Sequence, residues 1–262
     1  MNFIITAGGT SESIDSVRSI TNNSTGALGV KISEAIHHCF SDADIYFICG
    51  ARAFVPAFAG VKIIRITDTN DLQRTLTDLL TSGKADAVIH AMAVSDYRVH
   101  SVTTAEKLAA SISADLFAAF ASALPDEISL SGMIENVIIN SPFPLQDGKI
   151  SSDLQNPLIL LEKTPKVIGL IKELQPDTIL VGFKLLSNVT NEVLIDTAFS
   201  LLERNHCDLV FANDANGMKD GLHSGYLVDP FKNTIECHGK QNIAEVITAQ
   251  VALLLQAKGE KP

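Results

Sequence analysis

A doubly wound α/β fold with a mostly parallel sheet is what this chain of 262 residues predicts, and three observations carry it. Short apolar runs alternate with segments of helical period along most of the length. The runs are scarcely interrupted by polar residues, as in parallel strands covered on both faces. The first run ends at Thr6 and leads into Gly8-Gly9-Thr10, a tight turn of the kind that offers backbone N–H groups to a phosphate.

In chain order, strands are expected at Phe3–Thr6, Ile45–Cys49, Lys62–Ile66, Ala87–Ala91, Leu158–Leu161, Ile179–Phe183 and Leu209–Ala212. Helical patterns lie between them. A helix is expected to resume after Gly26. Leu72, Leu76, Leu79 and Leu80 share one face, as do Val167, Ile168, Ile171 and Leu174. Val193, Leu194, Leu201 and Leu202 are less regular, and Ile243, Val246, Ile247, Gln250 and Leu254 mark an amphipathic final helix. Thr164-Pro165 reads as an N-cap followed by proline at the first helical position. Right-handed crossovers between such elements give an open, Rossmann-like sheet.

Two segments break the rhythm. Residues 95–112 lack a clear period, and 125–157, with Pro125, Pro142, Pro144 and Pro157, reads as a long excursion. Tyr226–Asp229 and Thr234–Cys237 read as a small hairpin at the sheet edge. With no low-complexity linker and no internal repeat, one domain spanning 1–262 is expected.

A formal net charge of −10 argues against nucleic-acid or anionic-membrane binding, which needs a basic footprint. No apolar run approaches the roughly 18–20 residues of a membrane span. The N-terminus lacks the pattern of a secretory signal, and Cys39, Cys49, Cys207 and Cys237 show no C-x-x-C spacing. A cytoplasmic protein with free thiols is expected.

Ligands of open α/β sheets sit beyond the C-terminal ends of the strands. That rule marks Gly8-Gly9-Thr10, Gly50, the run AMAVSDYR (Ala91–Arg98), Phe183-Lys184 and Asn213-Asp214. After the glycine turn a dinucleotide fold starts its helix at once, with G-x-G-x-x-G spacing. Here a polar loop from Ser11 to Thr25, carrying Arg18, Asn22 and Asn23, intervenes, and a loop of that length more often forms a site than a mere connection. The seven histidines show no ligand spacing, and no G-x-S-x-G elbow supports a hydrolase. Each residue alone has a plainer reading: Gly8-Gly9 a turn, Asn22-Asn23 loop caps, Asp96 a helix or turn cap, Lys149 a solvated turn lysine.

Four segments in order, AGGTSESIDSVRSITNNSTGALG, AMAVSDYR, GKISS with LILLEKTPKVIGLI, and VGFKLLSN with DLVFAND, resemble the phosphopantothenoylcysteine synthetase family and cover most of the chain. The resemblance implies ligation of 4′-phosphopantothenate to L-cysteine. A nucleoside triphosphate, CTP in bacterial members, first activates the carboxylate as an acyl-nucleotide and releases pyrophosphate; the cysteine amine then displaces CMP. It also implies a homodimer, with 125–157 and the edge hairpin as candidate interface elements. The chain matches the synthetase part alone, without the flavin-binding decarboxylase, so no flavin is expected, and Mg²⁺ is expected to arrive with the triphosphate.

By the same resemblance, Asn22 holds the acyl group and Arg18 places the substrate or the incoming cysteine. Lys149 meets the phosphates and Asp96 the ribose or base. Gly8, Gly9, Thr10, Ala91, Met92, Ala93, Pro165, Lys166, Val167, Ile168 and Phe183 contribute backbone and stacking contacts to the nucleotide, and Asn213 lines the pocket. Some positions depart from the bacterial pattern. Ile150, Ser151 and Ser152 follow Lys149 where further lysines are usual, and the serine pair with Phe183-Lys184 is nearer to the ATP-using animal type. No lysine lies between Asn191 and Asn205, so Lys184 is the substitute there. Lys107 rivals Lys149 on spacing. CTP and ATP both remain open, and two other readings compete: a dinucleotide- or flavin-binding oxidoreductase and a non-catalytic nucleotide-binding module.

Overall fold

The computed structural model describes residues 1–121, 127–140, 149–218 and 223–259. Its elements are β1 (Asn2–Ala7), β2 (Ser11–Ser13), β3 (Ser19–Thr21), α1 (Ala27–Cys39), β4 (Asp44–Gly50), β5 (Lys62–Ile66), α2 (Thr69–Ser82), β6 (Ala87–His90), β7 (Tyr97–Thr104), α3 (Ala105–Phe120), α4 (Glu127–Asn140), β8 (Pro157–Lys163), α5 (Val167–Leu174), β9 (Ile179–Leu186), α6 (Asn191–Asn205), β10 (Leu209–Asp214), β11 (Ser224–Val228), β12 (Thr234–His238) and α7 (Lys240–Ala257). They group into two compact units. The first is Met1–Ser11, Thr21–Ser95 and Pro165–Pro262; the second is Glu12–Ile20 and Asp96–Thr164. Both are discontinuous in sequence, so no linker marks a boundary within the 1–262 expected to form one domain.

The first unit is built on an eight-stranded sheet in the order β12-β11-β10-β9-β6-β1-β4-β5. The six strands from β10 to β5 are parallel, and β11 and β12 add an antiparallel edge hairpin where one was expected. Counted from β5, the parallel strands come third, second, first, fourth, fifth and sixth in chain order, the doubly wound arrangement whose order reverses between β1 and β6. Burial on both faces explains the unbroken apolar runs of β1, β4, β6, β9 and β10, whereas the edge strand β5 is largely exposed. Phe3, Ile5 and Ala7 of β1 pack with Ile32 and Ile36 of α1 and Ile243 and Ile247 of α7. Ile4 joins the opposite layer with Leu72 and Leu76 of α2, Val167 and Ile171 of α5, and Leu194 and Leu202 of α6. Each of the Ile, Leu, Val and Phe side chains among these contributes roughly 1.5–3 kcal/mol by its burial.

The Thr164-Pro165 cap is a correction. The helix begins at Val167, and Lys166 before it makes no side-chain cap. Thr164 instead follows directly on β8, and its N–H donates to Asp96 O at 3.1 Å. A residue preceding proline is held extended, which suits that place and not a helix start.

The second unit pairs β7 and β8 as an antiparallel ribbon. The Leu158–Leu161 run is therefore not a strand of the parallel sheet. Leu158, Ile159 and Leu161 are 40%, 44% and 42% exposed, so their apolar character is not explained by burial within the chain. Residues 95–112, which show no period, hold a whole strand and the start of a helix: β7 runs into α3, whose first turn is capped by the Thr104 hydroxyl accepting the Lys107 N–H at 3.2 Å. Within the expected 125–157 excursion, α4 packs on α3 and Pro157 opens β8, while Pro125, Pro142 and Pro144 lie outside the described residues. All four cysteines are free. Among the described residues no helix is long and apolar enough to cross a membrane.

Candidate functional site

The switch point between β1 and β6 is laced together by main chain. Beyond the strand ends, Ala93 N–H donates to Gly8 O at 2.8 Å and Thr10 N–H donates to Ala93 O at 3.2 Å. The Thr10 hydroxyl donates to Ser95 Oγ at 2.9 Å and accepts the Ser95 N–H at 2.9 Å. Asn22 returns to the same place: its N–H donates to Thr10 O at 3.3 Å and its Nδ2 to Ala93 O at 3.2 Å.

Three backbones approach too closely for side chains. A Cβ on Gly9 would stand 2.2 Å from the carbonyl oxygen of Asn22, and one on Gly50 would stand 2.3 Å from that of Gly9. These glycines are required by contact and not only by turn conformation. Arg65 fixes the loop after β4, donating through Nη1 to Gly50 O and Ala53 O, both at 2.8 Å. The structure thus brings Gly8, Gly9, Thr10, Asn22 and Ala91–Ala93 to one crevice of the first unit. Met92 turns its side chain into the core. Just inside the crevice, His90 Nδ1 and Thr6 Oγ1 share a buried hydrogen bond of 2.9 Å. Burial pushes the His90 imidazole down to about 4, so it is neutral at pH 7.

Other expected residues of this unit lie on strands and turns. Phe183 is partly buried, its ring 5.8 Å from Phe211 at 53°. Lys184 is level with Ala212 across the β9–β10 pair, and Asn213 with Gly225 across β10–β11. Pro165 and Lys166 are exposed, Val167 is a core residue and Ile168 packs beside it. Asp214, next to Asn213, is structural. It accepts N–H groups from Val189 at 2.9 Å, Asn216 at 2.7 Å and Asn188 at 3.2 Å, which hold its carboxyl below the usual range.

Arg18, Asp96 and Lys149 belong to the second unit. Asp96 is exposed at the end of the β7–β8 ribbon, Lys149 is exposed beside Ile150, and the rival Lys107 is exposed on α3. Arg18 is drawn into a tight cluster. Its Nη2 pairs with Asp15 Oδ2 at 2.9 Å and donates to Ile150 O at 2.6 Å. Burial pushes the Asp15 carboxyl up, but N–H groups of Val17, Arg18 and Ile150 and the Arg18 guanidinium together hold it down at about 2. Ser95, Arg65 and Asp15 were not expected from sequence. Only Asp15 left a local signal there, an aspartate whose carboxylate reaches the N–H groups two and three residues on.

The family model for the C-terminal domain of DNA/pantothenate metabolism flavoproteins matches residues 1–119 and 141–254. The chain belongs to this family. The stretch between the two matched parts, 120–140, holds α4. Among its relatives is the coenzyme A biosynthesis bifunctional protein CoaBC of Thermococcus kodakarensis, 33% identical over 254 residues, which are 96% of this chain and 51% of CoaBC. The chain thus spans about half the length of that relative. The crystal structure of the DNA/pantothenate metabolism flavoprotein from Streptococcus pneumoniae superposes with a TM-score of 0.77 at 32% identity, covering 98% of this chain and 99% of that one. A Cab2 H337A variant in complex with phosphopantothenate-cysteine shares the fold, with a TM-score of 0.68 at 14% identity over 98% of this chain and 88% of that one.

Proposed function

We propose that this flavoprotein C-terminal domain is the ligase that joins 4′-phosphopantothenate to L-cysteine through an acyl-nucleotide, as an enzyme of coenzyme A synthesis. The observation that carries the reading is the crevice at the β1/β6 reversal, where Asn22 is tied to the glycine turn and to Ala93. Family membership beside CoaBC supports it, and a protein of the same fold is described with phosphopantothenate-cysteine bound.

Activation is required because an amine cannot expel oxide from a carboxylate. A carboxylate oxygen attacks the α-phosphorus of the triphosphate and pyrophosphate leaves. The cysteine nitrogen then attacks the acyl carbon, the nucleotide departs with the bonding electrons, and the ammonium proton is lost. The protein's part is positioning and charge neutralisation. Asn22 Nδ2 carries two hydrogens; Ala93 O takes one, which aims the other at the acyl oxygen. The glycine turn at Gly8-Gly9 suits phosphate oxygens, while the Thr10 N–H is already taken by Ala93 O. His90, neutral in this environment, is not an acid at pH 7.

Mg²⁺ is assigned to the triphosphate, whose oxygens and water suit its octahedral demand. Among the described residues no group of three His, Cys, Asp or Glu is placed to hold a metal. A panel of CTP, ATP, GTP and UTP with phosphopantothenate and Mg²⁺, read by pyrophosphate release with and without cysteine, tests the reading. One base should dominate, and dipeptide-like product should need cysteine. Absence of release from every triphosphate overturns the proposal. A visible flavin spectrum or saturable NAD(P)H binding instead would favour the oxidoreductase, whose doubly wound sheet this chain shares.

Lys149 is assigned to the phosphates. Lys149→Gln should weaken the triphosphate step by about tenfold or more, the scale of one lost charged contact. Unchanged release would transfer the role to Lys107, tested by Lys107→Gln. The homodimer is also part of the proposal. Its support is the β7–β8 ribbon, where Tyr97 (51% exposed) joins Leu158, Ile159 and Leu161 as large apolar side chains in water. Sedimentation should show a two-chain species, and a monomer at micromolar concentration removes it.

A further inference from the structure

Asp15 has no role in the ligase reading, yet it organises the segment that carries Lys149. It lies two residues beyond β2, and its side chain is fully covered while that of Arg18 is 47% exposed. Oδ1 accepts the N–H groups of Val17 at 2.8 Å and Arg18 at 2.7 Å. Oδ2 accepts Arg18 Nε at 3.0 Å and, from a residue 135 positions away, the N–H of Ile150 at 3.0 Å. Arg18 Nη2 then donates to the carbonyl of the same Ile150 at 2.6 Å. One acid–base pair therefore occupies both main-chain groups of Ile150, whose side chain is also buried. Two hydrogen bonds of opposite polarity on one residue fix the position and orientation of the main chain at that point. Lys149, one bond earlier, is exposed.

We propose that Asp15 is a positioning residue, holding Arg18 and the Ile150 backbone as one clamp that fixes where Lys149, the residue assigned to the triphosphate, leaves the main chain. This rests on the ligase reading for what Lys149 does, but not for the clamp itself. It gives Arg18 an internal partner and explains why an arginine is needed: its fork reaches the Asp15 carboxylate and the Ile150 carbonyl together, which a lysine cannot do.

Asp15→Asn is the direct test. An amide presents one acceptor and one donor, so it can serve Val17 and Arg18 or Ile150 and Arg18 Nε, never both sets. Amide hydrogen exchange of the unliganded protein should accelerate about tenfold or more at Ile150 while β1 and β6 are unchanged. In turnover, KM for the triphosphate should rise about tenfold with kcat little altered, and Asp15→Asn combined with Lys149→Gln should be no worse than Lys149→Gln alone. Arg18→Lys, which keeps the charge and loses the fork, should accelerate exchange at Ile150 in the same way and serves if Asp15→Asn does not fold. Unchanged exchange at Ile150 in the folded variant overturns the clamp. Faster exchange with multiplicative effects of Asp15 and Lys149 on KM overturns the link to Lys149. Wild-type protein that releases no pyrophosphate overturns the ligase reading and the Lys149 role together, and the exchange measurement identifies that case because it needs no substrate.

Discussion

Asn22→Ala should slow ligation by about 10²–10³ while the fold stays intact, the scale expected when one aligned donor to a developing charge is removed. The main chain at this position is what builds the crevice: Asn22 N–H on Thr10 O, and the Asn22 carbonyl against Gly9. Both survive truncation to alanine. The side chain loses its bond to Ala93 O, whose carbonyl still accepts the Thr10 N–H, so no buried acceptor is orphaned. A stability loss of about 1 kcal/mol or less follows from one partly exposed hydrogen bond. Turnover and the thermal midpoint measured on the same preparation separate the two effects. A midpoint near wild type with kcat down a hundredfold is expected; near-normal kcat would mean that Asn22 is not the acyl-holding group. Asn22→Asp is the sharper companion, since a carboxylate keeps the shape and replaces the donor with a negative charge.

The ease of reading β1, β4, β9 and β10 from sequence has a single cause: both faces of each are buried, so a run of Ile, Val and Phe has no other use. The second unit failed that test twice. None of the residues of α3 is buried, so its sequence AEKLAASISADLFAAF has no face to encode and shows no period. The LILL run of β8 imitates a core strand although its side chains face solvent. The site divides the same way. The glycine turn was legible because tight turns leave a local mark. The length of the polar loop marks Asn22 as a candidate and the resemblance supplies its expected role, but its bond to Ala93 joins residues 71 positions apart, while the Asp15–Ile150 bond spans 135; neither separation has a signature in a single sequence. Arg65 carries no mark in the sequence, because nothing local shows that a strand residue will cap carbonyls of the neighbouring loop.

Acidification should destabilise the protein well before its carboxylates titrate, and His90 is the reason. Its imidazole is buried against Thr6, and burial lowers its titration to about 4 from an ordinary 6.5. The sign follows from linkage: the unfolded chain binds the proton first, so stability is complete above about pH 6.5 and declines as pH falls toward 4. At ~1.36 kcal/mol per pH unit, about 2–3 kcal/mol is lost by pH 4.5, a large fraction of a domain's typical 5–15 kcal/mol. His223, also lowered by burial and by Lys240, adds in the same direction. Asp15 acts in a separate window, its contribution disappearing only as pH falls from 3.8 through about 2. Urea midpoints at pH 7.5 and 4.5 check this. Wild type should lose the stated amount, and His90→Gln, uncharged at position 90 at both, should be less stable at pH 7.5 but lose clearly less between them, keeping only the slope that His223 contributes. The loss matters for function because His90 closes β6 one residue before Ala91–Ala93. Protonation forces the imidazole out of its place against Thr6 and loosens the backbone that carries Ala93 O, the acceptor on which Asn22 is aimed. Binding of the nucleotide should therefore weaken over the same pH interval in wild type and hold steady in a folded His90→Gln; parallel titration in both proteins would place the sensitive group elsewhere.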